Sequence, residues 1–159
     1  MATLLVDGYR DGERFDLIVV DVQGVKLEAS TAVRYELMRE AAAKAGIRLI
    51  AREGWRSFAR QNAIYESRRC KCGKPGGKHA ANCVVAVKGP AAHPGHSGHQ
   101  AGEAVDLSVG MTVADLAARR TTPAFEWLEL HAGEYGFQRT VKVEPWHWQN
   151  TAIQEIRDA

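Results

Sequence analysis

The sequence has little cysteine, little net charge and no long apolar run. Its 159 residues include only 3 cysteines, and an odd number argues against a complete disulfide framework. Because no apolar run approaches the ~18 residues of a membrane helix, we expect no membrane span. The 21 basic and 19 acidic residues leave a net charge of +2. That balance argues against a dedicated nucleic-acid binder, so we expect no nucleic-acid partner.

The length and the hydropathy pattern predict one α+β domain over 1–159, in which helices pack on a small antiparallel sheet. Apolar stripes and capping residues predict three main helices, over 31–45, about 58–68 and 123–135. Alternating or β-branched runs predict strands over 17–22, 47–51, 104–109 and within 137–150. Outside these elements we predict turns over 1–15, a short helical turn after Thr112 and a terminal helix over 151–159. The second helix is expected to bury Phe58, Ala63, Ile64 and Tyr65. We expect a monomer.

The first residues after Met1 carry no basic n-region, no long apolar h-region and no obvious cleavage site. A signal peptide is therefore not visible. We expect the chain to be synthesised in the cytoplasm, and to need another route of delivery if its target lies outside.

The strongest pattern of chemistry-bearing residues is split between 97–106 (SGHQAGEAVD) and 144–148 (EPWHW). Catalytic zinc commonly takes three nitrogen or oxygen ligands from the protein and leaves a fourth position to water. His99, Asp106 and His147 can supply these ligands. Two neutral imidazoles and one carboxylate leave the site positively charged, which lowers the pKa of a bound water. Glu144 is then the expected general base.

The backbone between Glu144 and His147 is predicted to be irregular. In a regular strand these two side chains would point to opposite faces, because side chains alternate with period two. Both can reach one metal only if the chain turns or bulges at 144–146, and Pro145 is compatible with that. Gly102 is expected to let the backbone pass close to the metal or the substrate.

These patterns, Ser-x-His-x-x-Gly-x-Ala-x-Asp and Glu-x-Trp-His, resemble those of the zinc D-alanyl-D-alanine carboxypeptidases and dipeptidases of the VanY and VanX type. Phage L-alanyl-D-glutamate endopeptidases share them, and the hedgehog signalling domain is similar in fold. The resemblance implies that His99, Asp106 and His147 bind zinc and that Glu144 is the base.

A further segment supports the resemblance. Gly-Trp-Arg56-Ser followed by Gln61 is similar to a Gly-Tyr-Arg-Ser…Gln segment of that family. The resemblance implies that Arg56 holds the substrate carboxylate or the developing oxyanion, tasks for which the planar guanidinium fork is suited. Ser97 and Gln61 are weaker candidates for substrate binding or support of the site.

A basic insertion at about 69–90 holds all three cysteines. Cys70, Cys72, His79 and Cys83 form a candidate structural zinc site of the closed Cys₃His type. One disulfide with a free thiol, or three reduced cysteines, are the alternatives.

The leading hypothesis is a zinc peptidase that acts on the stem peptides of bacterial peptidoglycan, as a phage lysis or virion-associated enzyme. The scissile bond stays open, because D-Ala-D-Ala, a D,D cross-link and L-Ala-D-Glu suit the same metal centre. The alternatives are a cytoplasmic D-Ala-D-Ala dipeptidase, a catalytically silent zinc module that binds peptide, and a zinc-knuckle nucleic-acid binder built on the cysteine-rich loop.

Overall fold

A computed structural model of the chain describes residues 2–68 and 91–153. The strands of this part are β1 (Thr3–Arg10), β2 (Glu13–Val22), β3 (Val25–Glu28), β4 (Ala51–Glu53), β5 (Ala104–Leu107), β6 (Phe137–Gln138) and β7 (His147–Asn150). The helices are α1 (Ala29–Lys44), α2 (Phe58–Arg68), α3 (Val113–Ala117) and α4 (Pro123–His131). A 3₁₀ turn over Ala132–Tyr135 continues α4. The mixed α+β class is confirmed.

The strands form two antiparallel sheets where the sequence analysis expected one. The first has the order β1-β2-β3 and the second the order β4-β5-β7-β6. In the second sheet, β5 lies between β4 and β7, so residues that are far apart in the sequence become direct neighbours. The adjacent strands β5 and β7 carry two of the three candidate metal ligands, Asp106 and His147.

The N-terminal hairpin is the largest difference from the sequence prediction, which placed only turns over 1–15. Strand β1 pairs with β2 along its whole length, from Thr3 opposite Val20 to Arg10 opposite Glu13. Asp11 and Gly12 form the two-residue loop, with positive φ angles of 51° and 84°. Paired positive φ angles twist a tight turn in the same sense as the strands it joins. The Asp-Gly pair was therefore a hairpin signal as well as a turn signal.

The hydrophobic core draws on both sheets and on two helices. Its buried members include Leu27 of β3, Tyr35 and Met38 of α1, Leu107 of β5 and Leu128 of α4. Tyr35 is fully buried, and burial raises the pKa of its phenol to about 12. Its hydroxyl keeps a partner by donating a hydrogen bond to Gln23 Oε1 at 2.9 Å. The core thus holds the two sheets together through α1.

Helix α2 has the predicted bounds, but the prediction of its buried side is wrong. Phe58 and Ala63 are exposed, Ile64 and Tyr65 are half-buried, and Gln61 is the one buried residue of the helix. The reason is that α2 forms a wall of the polar cleft described below, so the side chain that it buries is the polar one of Gln61.

Other boundaries differ by a few residues. Helix α1 begins at Ala29 instead of 31, since the Glu28 side chain accepts a hydrogen bond from the backbone N–H of Thr31. The prediction of a strand over 47–51 is mostly wrong, because residues 47–50 lie outside any strand and β4 shares only Ala51 with it. The short helix after Thr112 is confirmed, with the Thr112 side chain capping it. The candidate Cys₃His site and most of the predicted terminal helix lie outside the described residues. Within the described ranges, no helix has the length and hydropathy to cross a membrane.

Candidate active site

The three predicted metal ligands meet at the centre of the second sheet. Asp106 of β5 lies directly opposite His147 of β7 in the antiparallel register. Side chains of directly opposed residues project from the same face of a sheet, which explains why these two meet. His99 lies in the loop that leads into β5, and its Nε2 atom is 3.2 Å from Asp106 Oδ1.

The spacing of these ligand atoms fits a tetrahedral zinc ion. Asp106 Oδ1 lies 3.2 Å from His99 Nε2 and 3.2 Å from His147 Nδ1. Zinc–nitrogen and zinc–oxygen bonds of ~2.0–2.1 Å at tetrahedral angles place ligand atoms about 3.3 Å apart. All three ligand atoms lie within 4.8 Å of one another. The residues present can therefore hold zinc without large movement.

A backbone carbonyl fixes the orientation of His99. Its Nδ1–H donates a hydrogen bond to the carbonyl oxygen of Gly54 at 2.8 Å. A carbonyl can only accept, so Nδ1 carries a proton, and Nε2 is the ring nitrogen that faces Asp106. Metal-binding histidines characteristically use their second nitrogen in this way. The imidazole is also buried, with 3% of its residue surface exposed.

The Asp106 carboxylate keeps its negative charge. Burial alone disfavours the charged form, but hydrogen bonds and charge interactions with His147 and His99 outweigh it and hold the pKa of Asp106 well below its ordinary value. Asp106 is therefore ionised, which is the form of a carboxyl group that binds a metal cation.

Glu144 lies beside this centre because the chain turns before β7. The backbone N–H of His147 donates to the carbonyl oxygen of Glu144 at 3.3 Å, and the turn spans Pro145 and Trp146. The irregularity predicted at 144–146 is thus confirmed. Burial raises the pKa of the Glu144 carboxyl. Arg68, at the end of α2, forms an ion pair of 3.5 Å with it.

Arg56 is held firmly by two neighbours that also line the cleft. Glu53 accepts hydrogen bonds from Arg56 Nε at 3.1 Å and from Nη2 at 2.5 Å. Gln61 Oε1 accepts one from Nη1 at 2.7 Å, while its own amide donates to the carbonyl oxygen of Ala92. Gln61 is one of the site residues predicted from the sequence, whereas Glu53 is not. An acidic residue three positions before the arginine was the available signal.

One cleft with a cavity volume of about 350 Å³ brings the predicted site residues together. Its lining includes Arg56, Gln61, Ser97, His99, Asp106, Glu144 and His147. Ser97 is buried and lies two residues before His99 in the sequence. Trp146 forms part of the cleft wall, and Trp148 belongs to the core.

Gly102 has a different role from the predicted one. Its φ angle is +70°, and an added Cβ would lie 2.8 Å from the backbone nitrogen of Glu28. Its carbonyl oxygen accepts a 2.9 Å hydrogen bond from that same nitrogen. The close approach is therefore to the start of α1, and it anchors the loop that carries His99.

Comparison with known proteins agrees with this geometry. The model of the VanY family, described as D-alanyl-D-alanine carboxypeptidase, matches residues 24–153. "Putative carboxypeptidase YodJ" of Bacillus subtilis (strain 168) is 30% identical over an alignment of 156 residues, and the match covers 85% of this chain and 53% of that protein. The chain thus spans about half the length of this curated relative.

Solved structures show the same fold. VanY, a vancomycin resistance D,D-pentapeptidase solved with Zn(II), has a TM-score of 0.62 at 22% identity, covering 91% of this chain and 84% of its own. VanYB in complex with D-alanine-D-alanine has a TM-score of 0.64 at 22% identity, covering 91% and 82%. The LD-carboxypeptidase LdcB has a TM-score of 0.57 at 24% identity, covering 98% and 72%.

Proposed function

The chain belongs to the VanY family of D-alanyl-D-alanine carboxypeptidases, and from that premise we propose that it is a zinc-dependent peptidase of peptidoglycan stem peptides that hydrolyses a terminal D-Ala-D-Ala bond. The observation that carries the proposal is the convergence of a His–Asp–His group, the half-buried carboxyl group of Glu144 and the fixed guanidinium of Arg56 on one cleft. Two of the structural relatives were solved with Zn(II) or with D-alanine-D-alanine, which supports both the metal and the substrate.

His99, Asp106 and His147 are the residues that would hold the zinc ion. When bound, zinc supplies a Lewis acid for the scissile carbonyl and lowers the pKa of a water molecule. The charge of Asp106 and the fixed tautomer of His99 preorganise the site, so little rearrangement is needed on binding.

Glu144 is the proposed general base. It lies in the same cleft, next to the metal ligands, with 12% of its side chain exposed. The carboxylate takes a proton from the attacking water and passes it to the nitrogen of the leaving D-alanine, so that one group serves as base and then as acid. The turn at 144–146 aims the side chain at the cleft that the ligands line.

Arg56 is the proposed anion-binding group of the reaction. Glu53 and Gln61 fix its guanidinium by three hydrogen bonds, so its remaining N–H groups are held in place before substrate arrives. Donors fixed in advance stabilise developing negative charge at no cost of reorganisation during the reaction. We propose that Ser97 and Gln61, which line the same cleft, support substrate binding.

The proposal is tested with zinc-loaded protein and a synthetic stem pentapeptide that ends in D-Ala-D-Ala. We expect release of a single D-alanine, detected by mass spectrometry, and no release after Asp106→Ala removes a ligand. Purified peptidoglycan, digested in parallel, identifies any other scissile bond from its muropeptides. Zinc binding without cleavage of either substrate would contradict the proposal and favour a module that only binds peptide.

Two finer predictions from the sequence accompany this function. A structural zinc on Cys70, Cys72, His79 and Cys83 predicts that metal analysis will return a second zinc per chain. If the protein is a phage lysis or virion-associated enzyme, the purified protein should clear a suspension of bacterial cell walls when it is added from outside. Both stay predictions.

A further inference from the structure

The side chain of Glu144 is less constrained than its backbone. The turn before β7 anchors the backbone, where the N–H of Glu144 donates to the carbonyl oxygen of Val141 at 3.0 Å. The side chain has several rotatable bonds that this anchor leaves free. Among the residues that the structure describes, its carboxylate has one ion-pair partner, Arg68, at 3.5 Å between Oε1 and Nη1. Because a general base must lie within hydrogen-bond reach of the proton that it takes, this contact bears on its action.

The cleft-lining face of α2 contacts both the proposed anion-binding group and the proposed base. Gln61, Ile64 and Arg68 line the cleft, and their spacing of three and four residues places them on one side of a helix. Gln61 accepts a hydrogen bond from Arg56 at 2.7 Å. Arg68, seven positions after Gln61, forms the ion pair with Glu144. One helix face therefore supports two groups of the site.

The place of Arg68 at the end of α2 favours its charge. Arg68 is the last residue of the helix, where the unpaired carbonyl groups carry partial negative charge and a cation is stabilised. Its side chain is 27% exposed and that of Glu144 is 12% exposed. The attraction between these two charges is therefore less weakened by water than in a fully exposed pair.

The charges of the cleft are balanced without a substrate. Its described lining contains three arginines and three carboxylates, namely Arg56, Arg60, Arg68, Glu53, Asp106 and Glu144. Glu53 lies 2.5 Å from Arg56 and 3.9 Å from Arg60, and Asp106 faces the two histidines. The charge of Arg68 is thus directed to Glu144, which favours an action on the base over an action on the substrate.

We propose that Arg68 is a positioning residue: its guanidinium holds the Glu144 carboxylate in the orientation from which it takes a proton from the attacking water. The proposal rests on the proposed function, because Glu144 is the base named there. Arg68 acts through Glu144, so its removal should slow turnover without weakening the binding of substrate.

Single variants test this role with the zinc-loaded protein and the stem pentapeptide. Arg68→Gln should lower kcat by about threefold to tenfold and leave KM within about twofold of wild type, as expected for loss of a partly exposed ion pair to the base. Arg68→Lys keeps the charge and should recover most of kcat. Arg60→Gln is the matched control, because it removes the same charge from the same helix and cleft without an ion pair to Glu144, and its kcat should not change. Zinc content should be equal in all variants.

A double-mutant cycle with Glu144→Gln tests whether Arg68 acts through the base. Arg68→Gln should lower kcat in the wild-type background and have no further effect in the Glu144→Gln background. A structural effect of Arg68 on the cleft would lower kcat by the same factor in both backgrounds, and that result would overturn the proposal.

The kinetic constants of Arg68→Gln give two further ways to overturn the proposal. Wild-type kcat with a raised KM would mean that Arg68 binds the substrate. A kcat above that of wild type would mean that the ion pair restrains the base. Both results leave the peptidase intact. Absence of D-alanine release by the unaltered zinc-loaded protein would contradict the proposed function itself, and this proposal with it.

Discussion

Removing the charge of Glu53 is expected to impair the proposed anion binding by Arg56, although the arginine itself is unchanged. Glu53→Gln keeps the shape of the side chain but leaves one neutral oxygen in place of a carboxylate that accepts bonds of 3.1 and 2.5 Å. Hydrogen bonds to charged groups contribute ~1.5–3 kcal/mol. Because Glu53 is partly exposed to water, we expect a loss of about 1–2 kcal/mol in the free energy of unfolding.

The same substitution is expected to lower kcat/KM roughly tenfold. Complete loss of an oxyanion donor costs about 10²–10³ in rate, and Gln61 still holds one nitrogen of Arg56 at 2.7 Å. The assay is D-alanine release from the stem pentapeptide, beside urea unfolding of the same samples.

Glu36→Gln is the matched control for Glu53→Gln. Glu36 also binds an arginine three residues later, through Arg39 Nε at 2.9 Å and Nη2 at 2.5 Å, but on α1 and outside the cleft. It should lose stability and keep kcat/KM. Wild-type kcat/KM in the Glu53→Gln variant would refute the argument that Arg56 acts through its fixed orientation.

Three further expectations concern stability and metal content. Gly102→Ala should lower the free energy of unfolding, measured in urea, by about 2–4 kcal/mol. Gly24 has a similar φ angle of +82° but open space around it, so Gly24→Ala should lower it by only ~1–2 kcal/mol. Equal losses would contradict the close contact between Gly102 and Glu28. Burial opposes the charged form of Glu28, but the hydrogen bonds of Thr31 and Ser30 prevail and lower its pKa. The folded pKa lies below the unfolded value, so this stabilisation is present above pH ~4.5 and is lost as the pH falls further. Glu28→Gln should therefore cost ~1 kcal/mol at neutral pH and less in acid, and a pH-independent loss would argue otherwise. A chelator should stop turnover and lower the melting temperature, with zinc restoring both; full activity after metal removal would be inconsistent with the site.

The sequence was sufficient to select the three candidate metal ligands, because each lies in a short motif of residue types that bind metals. His99, Asp106 and His147 needed no knowledge of strand order to be chosen. Their meeting does depend on strand order, since β7 pairs with β5 across about forty residues of chain. A local pattern cannot show that pairing, and only the family resemblance suggested it.

Tertiary context explains what the sequence prediction missed. Among the described residues, α2 forms a wall of the polar cleft, so Gln61 is its buried residue while its apolar side chains are exposed or half-buried. Strand β1 alternates too weakly in hydropathy to be predicted, and it forms because β2 supplies a complete set of partners. Gly102 was assigned to the metal site because of its place in the motif, yet its constraint comes from Glu28, 74 positions earlier in the sequence.

The most direct test of the account is the Glu144→Gln variant, measured for bound zinc and for D-alanine release from the stem pentapeptide. The account predicts unchanged zinc content, because Glu144 is not a ligand, and a fall in kcat of about 10²–10⁴, the contribution of a general acid–base group. A variant that binds zinc and releases D-alanine at nearly the wild-type rate would contradict it.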